Sequence, residues 1–195
     1  FNQFFGVPGN TEDSLDTEPR IYIRDNKWSF TDRSKMYWTG MKHREGQILS
    51  GPHWDLAQLG PDFLKEGLQF IQIASQKKNP FFLYYVPTAN HFQRNLNGDY
   101  AVPEFLHGEP IRGASKYTDG QKGGEREDMV LENDVAFGAL IQKLKETEDP
   151  RSPGKKLIEN TLIIFTSDNG PNVGDNEGTN QESGELRGKK AKLWE

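Results

Sequence analysis

Apolar residues along this chain gather in a few dense blocks separated by long polar stretches. Over residues 61–76, Phe63, Leu64, Leu68, Ile71 and Ala74 recur close to every 3.6 positions, which predicts a helix with one apolar face. Pro61 suits its first position, where a missing N–H costs nothing, and Lys77 and Lys78 suit the negative end of the helix dipole. Asn79-Pro80 breaks the pattern. Phe81-Phe82-Leu83-Tyr84-Tyr85-Val86 then runs between two prolines, and six consecutive apolar or aromatic residues predict a strand buried on both faces. A second helical pattern spans residues 125–148 through Met129, Val130, Ala136, Phe137, Leu140, Ile141 and Leu144, until Asp149-Pro150 stops it. Thr161-Leu162-Ile163-Ile164-Phe165-Thr166 predicts a second buried strand, which breaks at Ser167-Asp168-Asn169-Gly170-Pro171.

The first 60 residues are loop-rich. Within them Arg20-Ile21-Tyr22-Ile23-Arg24 alternates like a half-exposed strand, and Asp25-Asn26-Lys27 reads as a turn. Residues 87–124 form a long polar loop, a length usually tied to function or mobility. The order helix, strand, long loop, helix, strand predicts an α/β fold: a mixed, mostly parallel sheet flanked by helices, with right-handed crossovers. The α/β core is expected over residues 61–195, following the loop-rich segment 1–60.

Composition changes this picture little but excludes several roles. The chain has 195 residues, 33% hydrophobic and 27% charged, enough for one domain. Mean hydropathy is −0.82, polar for a globular protein, yet the dense apolar runs argue against disorder. A net charge of −5 leaves no basic field for nucleic acid or an anionic membrane. The one concentrated positive run is Arg187, Lys189, Lys190 and Lys192. With no cysteine, disulfides, zinc thiolate sites and cysteine nucleophiles are excluded within the chain. No apolar stretch approaches the roughly 20 residues that span a bilayer. The chain starts at Phe1 without a signal-peptide pattern and stops at Leu193-Trp194-Glu195, so both ends read as interior sequence.

Candidate chemistry follows from the two predicted strands. In open α/β sheets ligands bind beyond the carboxyl ends of the strands. If both strands are parallel, Asn90-His91 and Asp168-Asn169 lie on that same edge. Asp168 and Asn169 offer hard oxygen ligands for a divalent cation, although Asp-Asn-Gly is also an ordinary turn sequence. His91 can donate a hydrogen bond to an anion, or can be a plain loop histidine. Lys190, brought over the same edge, would set an ammonium against a sulfate or phosphate oxygen; the alternative is a solvated basic face. His43 and His53 read as structural or incidental, and His107 as a substrate-contact candidate.

Three blocks in the second half resemble the type I sulfatases of the alkaline-phosphatase-like superfamily. Pro80-Phe81-Phe82-Leu83-Tyr84-Tyr85-Val86-Pro87 through His91 is similar to P-F-F-L-Y followed by a histidine. Residues Glu159-Asn160-Thr161-Leu162-Ile163-Ile164-Phe165-Thr166-Ser167-Asp168-Asn169-Gly170 resemble E-N-T-L-V-I-F-T-S-D-N-G. Leu186-Arg187-Gly188-Lys189-Lys190 with Trp194-Glu195 is similar to L-R-G-G-K-G ending in W-E. Glu132-Asn133-Asp134 falls where the family has E-x-D, and Phe1-Asn2-Gln3-Phe4-Phe5-Gly6 resembles F-D-x-F-x-G.

The resemblance implies a partial catalytic domain of alkaline-phosphatase-like fold, incomplete in this chain. It implies metal ligands Asp168 and Asn169, for Ca²⁺ ahead of Mg²⁺, and sulfate-holding residues His91 and Lys190. It also implies a secreted or periplasmic location and a sulfated small molecule or glycan as substrate. The family's nucleophile is a formylglycine made within C/S-x-P-x-R, and no catalytic nucleophile is expected in this chain. The nearest look-alike, Ser50-Gly51-Pro52-His53-Trp54, has Trp in place of Arg. The implied activity of the parent protein is sulfate ester hydrolysis, with the isolated chain inactive. Rival readings are a phosphatase or phosphodiesterase of the same superfamily, and a non-catalytic metal- or sulfated-glycan-binding remnant.

Overall fold

The computed structural model describes residues 2–8, 20–29, 33–40, 47–52, 54–89 and 102–170. The chain divides into two units, residues 1–160 and residues 161–195.

In the first unit, β1 (Phe5–Gly6), β2 (Ile23–Arg24) and β3 (Lys27–Trp28) pair antiparallel. Asp25 and Asn26 link β2 to β3 with φ of 48° and 67°, the left-handed pair that a tight hairpin needs and that Asp and Asn tolerate. The predicted turn is therefore present, while the predicted strand over residues 20–24 shortens to its last two residues and an isolated Arg20–Ser50 bridge. Residues β4 (Tyr37–Gly40) and β5 (Gln47–Ser50) form a second antiparallel pair.

Helix α1 covers Leu59–Ala74 and α2 covers Glu125–Glu146. Just before α1, Asp55 accepts a hydrogen bond from the Ala57 N–H at 3.0 Å and starts a short 3₁₀ turn, Leu56–Gln58. That turn winds into α1 two residues ahead of the predicted start. Pro61 becomes the third helical residue, where its N–H would still have no partner. At α2 the Glu127 carboxylate reaches back to accept from the Gly124 N–H at 2.8 Å, as in a capping box. Its end comes where Thr147 turns extended and its hydroxyl bonds the Lys143 carbonyl at 2.6 Å.

The two helices pack with small residues at the contact. A Cβ on Gly60 would lie 1.6 Å from Glu132 Oε1, and one on Gly67 would meet Leu140 Cδ2 at 3.2 Å and the Tyr85 ring at 3.4 Å. The core joins Leu64 and Ile71 of α1 to Met129, Ala136, Leu140 and Leu144 of α2. Val102, Leu106, Ile111 and Leu157 complete it, and burying each such side chain contributes about 1.5–3 kcal/mol. Tyr22 donates to Asp62 at 2.8 Å and Arg24 pairs with Glu66, fastening the β1–β3 sheet to the outer side of α1.

Residues 102–124 are more ordered than a polar loop. They hold the hairpin β6 (Phe105–Leu106) and β7 (Glu109–Pro110), turning through His107 and Gly108 at φ of 51° and 88°. Asp128, buried on α2, pins the following turn by accepting from Gly113 N–H at 2.6 Å, Ser115 N–H at 3.1 Å and Ser115 Oγ at 2.6 Å.

The two predicted buried strands need correction. Residues 81–86 are extended, and their burial alternates. Phe81, Leu83 and Tyr85 pack on the helical core, whereas Phe82, Tyr84 and Val86 are exposed. Residues 161–166, in the second unit, are also extended, and Leu162, Ile164 and Phe165 are exposed. The sheets among the described residues are antiparallel, and with the two helices they are consistent with a partial α/β domain.

Candidate functional site

Beyond the extended run, Pro87, Thr88 and Ala89 turn onto α2. Ala89 is buried, and its carbonyl accepts a hydrogen bond from Asn133 Nδ2 at 3.2 Å. Beneath the run lies a layer of polar groups in an apolar setting. Glu132 is 4% exposed and makes no hydrogen bond among the described residues, so burial alone pushes its carboxyl up to about 8. It is therefore mostly protonated at neutral pH. The Tyr85 hydroxyl and Asn133 Oδ1 are also buried without a partner. The Tyr85 phenol is held well above its ordinary value, first by burial and then by the Glu132 charge.

The second unit presents the Asp168-Asn169 pair in a bend directly after the extended run 161–166. Asp168 is exposed, and no donor among the described residues occupies its carboxylate. Asn169 donates its amide N–H to the Gly170 carbonyl at 2.9 Å, a bond that does not engage its side-chain oxygen. Ser167 Oγ donates to the Asn169 carbonyl at 2.8 Å and tightens the bend. An open carboxylate and an amide oxygen are hard donors, which suits Ca²⁺ or Mg²⁺. Two oxygens fall short of the six to eight that Ca²⁺ takes. Among the described residues no three His, Cys, Asp or Glu side chains gather as a metal site.

Of the four expected site residues, Asp168 and Asn169 stand on this bend, while His91 and Lys190 lie outside the described residues, as do His43 and His53. His107 is exposed at the β6–β7 turn. Ser50, of the Ser-x-Pro look-alike, is fully buried at the end of β5. Sequence reasoning missed the polar layer under residues 81–89. A signal existed: position 132 stands three after Met129 and four before Ala136, on the buried face of α2, where a carboxylate is out of place.

Two packed helices with small sheets and extended apolar runs are consistent with a partial α/β domain. More specifically, the family profile of the sulfatases matches residues 1–195, and the chain belongs to the sulfatase family. N-acetylgalactosamine-6-sulfatase of Canis lupus familiaris is 27% identical over 128 residues, covering 63% of this chain and 20% of that protein. The Mus musculus enzyme of the same name is 31% identical with the same coverage. N-acetylgalactosamine-6-O-sulfatase of Bacteroides thetaiotaomicron is 31% identical over 103 residues, 53% of this chain and 15% of that protein. The matched stretch thus spans about a fifth or less of these curated relatives. No solved structure matches the chain. No helix among the described residues is long and apolar enough to cross a membrane.

Proposed function

We propose that the intact protein hydrolyses sulfate esters on carbohydrate, and that this chain is a partial catalytic domain supplying half of the metal and sulfate site. The observation that carries the reading is the family match along all 195 residues. The open Asp168 carboxylate beside the Asn169 amide oxygen agrees with it. The relatives' names point to 6-sulfated N-acetylgalactosamine as the first substrate to assay.

In this reading Asp168 and Asn169 hold a divalent cation, Ca²⁺ ahead of Mg²⁺, through carboxylate and amide oxygens. A cation bound there supplies positive charge against the sulfate oxygens as the ester bond breaks. His91 donates a hydrogen bond to the sulfate, and Lys190 sets an ammonium against the same oxyanion; together they orient it and neutralise its charge. The attacking group is assigned to a formylglycine outside this chain, because C/S-x-P-x-R does not occur in it. Alone, the chain turns over no sulfate ester. A secreted or periplasmic location belongs to the same proposal, as do the mostly parallel sheet of the whole domain and the absence of a nucleic-acid partner.

Matched sulfate and phosphate monoesters of one alcohol, given to the intact protein, test the reading. Preferred release of sulfate supports it. Preferred release of phosphate makes the protein a phosphatase of the same superfamily, and binding of sulfated glycan without turnover makes it a binding protein.

A further inference from the structure

Helices α1 and α2 run in the same direction: Gly60 faces Glu132, Gly67 faces Leu140, and Gln72 accepts from Lys143. Their C-terminal ends therefore lie together. The turn after α2 folds onto the same end, where Lys156 Nζ donates to the Glu146 carbonyl at 3.2 Å and the Asp149 N–H donates to the Lys155 carbonyl at 2.9 Å. The acidic side chains gathered here are already engaged. Glu146 accepts from Gln142, Glu148 from Lys156, Asp149 from Arg151 and Asn160, and Glu159 from the Lys156 N–H. The side chains of Lys77, Lys78, Lys145 and Lys155, by contrast, are exposed and bond none of the described residues. The outcome is a local surplus of positive charge on a chain whose net charge is −5. Helix dipoles favour cations at the ends of α1 and α2, but Lys155 lies beyond both helices.

We infer that this end of the α1–α2 pair is a binding surface for a sulfated polysaccharide, whose repeated sulfates meet the four ammonium groups. Ammonium groups that neutralise a chain of anions release its condensed counterions, so the attraction grows with the number of contacts and falls with salt. Residues 75–79 and 143–160 contain no Phe, Tyr or Trp, so the surface lacks the stacking platforms of single-strand nucleic-acid binders. The inference rests on the proposed action on sulfated carbohydrate and adds a second point at which a polymeric substrate is held.

The test is calorimetric titration of chondroitin sulfate into the intact protein across a salt series. The wild type is compared with a variant combining Lys77→Gln, Lys78→Gln, Lys145→Gln and Lys155→Gln. A control combining Lys27→Gln, Lys65→Gln, Lys116→Gln and Lys122→Gln changes net charge equally at exposed positions elsewhere. The first variant should bind the polymer roughly tenfold or more weakly and with a shallower salt dependence, while the control stays near the wild type. Equal affinity of the first variant and the wild type, or equal losses in both variants, would overturn the inference. Duplex DNA bound as tightly as the glycan, and lost in the same variant, would overturn the choice of partner. Sulfate release from 6-sulfated N-acetylgalactosamine is followed in the same proteins and should be unchanged by the four substitutions, because a monosaccharide does not span the surface. No release by the wild type from this sugar or from the polymer would overturn the reading on which the inference rests, and the inference with it.

Discussion

Replacing Glu132 by Gln keeps the shape of the side chain and removes its ability to ionise. The Glu132 carboxyl is buried at 4% exposure beside Gly60, without a hydrogen bond among the described residues, and burial raises it from 4.5 to about 8. Between those two values the folded protein keeps the proton that the unfolded chain has released. The unfolded state then binds fewer protons, so stability falls as pH rises through this window and levels off above pH 8. At pH 7 the folded and unfolded values place a cost on the order of 3 kcal/mol on the wild type. Gln escapes that cost, but its amide must still be buried, a penalty of about 1–3 kcal/mol that does not vary with pH. Thermal melts of both proteins at pH 5, 7 and 9 measure the balance. The Gln variant should melt at or below the wild type at pH 5 and above it at pH 9. Melting curves that stay parallel across the range would refute the argument, because they would mean that Glu132 ionises alike in both states.

Three further outcomes follow from the packing and the site. Asp128→Ala removes the acceptor for Gly113 N–H, Ser115 N–H and Ser115 Oγ, and should cost about 2–4 kcal/mol, read by chemical denaturation. Gly67→Ala sets a methyl group 3.2 Å from Leu140 Cδ2 and 3.4 Å from Tyr85, crowding that offsets the helix-propensity gain of about 0.5–1 kcal/mol, so stability should change by less than about 1 kcal/mol in the same measurement. Asp168→Ala should weaken Ca²⁺ binding by the intact protein in calorimetry and leave the melting temperature of the metal-free protein within a degree or two, since Asp168 is exposed.

Both helices were legible because their apolar spacing is dense: Leu64 and Ile71 on α1, and Met129, Ala136, Leu140 and Leu144 on α2, are the buried faces. Helix α1 begins earlier than expected because Asp55 caps a 3₁₀ turn that runs straight into it. Val130, counted among the apolar face, is 51% exposed, and Asp128 and Glu132 take buried positions instead. Periodicity ranks residues by polarity, and so misses a carboxylate held by three donors or buried protonated. An unbroken apolar run does not show which of its faces will be covered: Phe81, Leu83 and Tyr85 pack on the helical core, whereas Phe82, Tyr84 and Val86 are exposed. Of the site, the Asp168-Asn169 bend was readable from its motif, whereas the Asn133–Ala89 tie joins positions 44 apart that no local pattern connects.

Sulfate ester hydrolysis is proposed for the intact protein because this chain belongs to the sulfatase family. Its most direct test is ion-chromatographic detection of free sulfate after incubating the intact protein, supplied with Ca²⁺, with 6-sulfated N-acetylgalactosamine and a panel of other glycan and aryl sulfates. The account predicts sulfate release from a sulfated sugar, abolished by Lys190→Ala. No release from any member of the panel would contradict it.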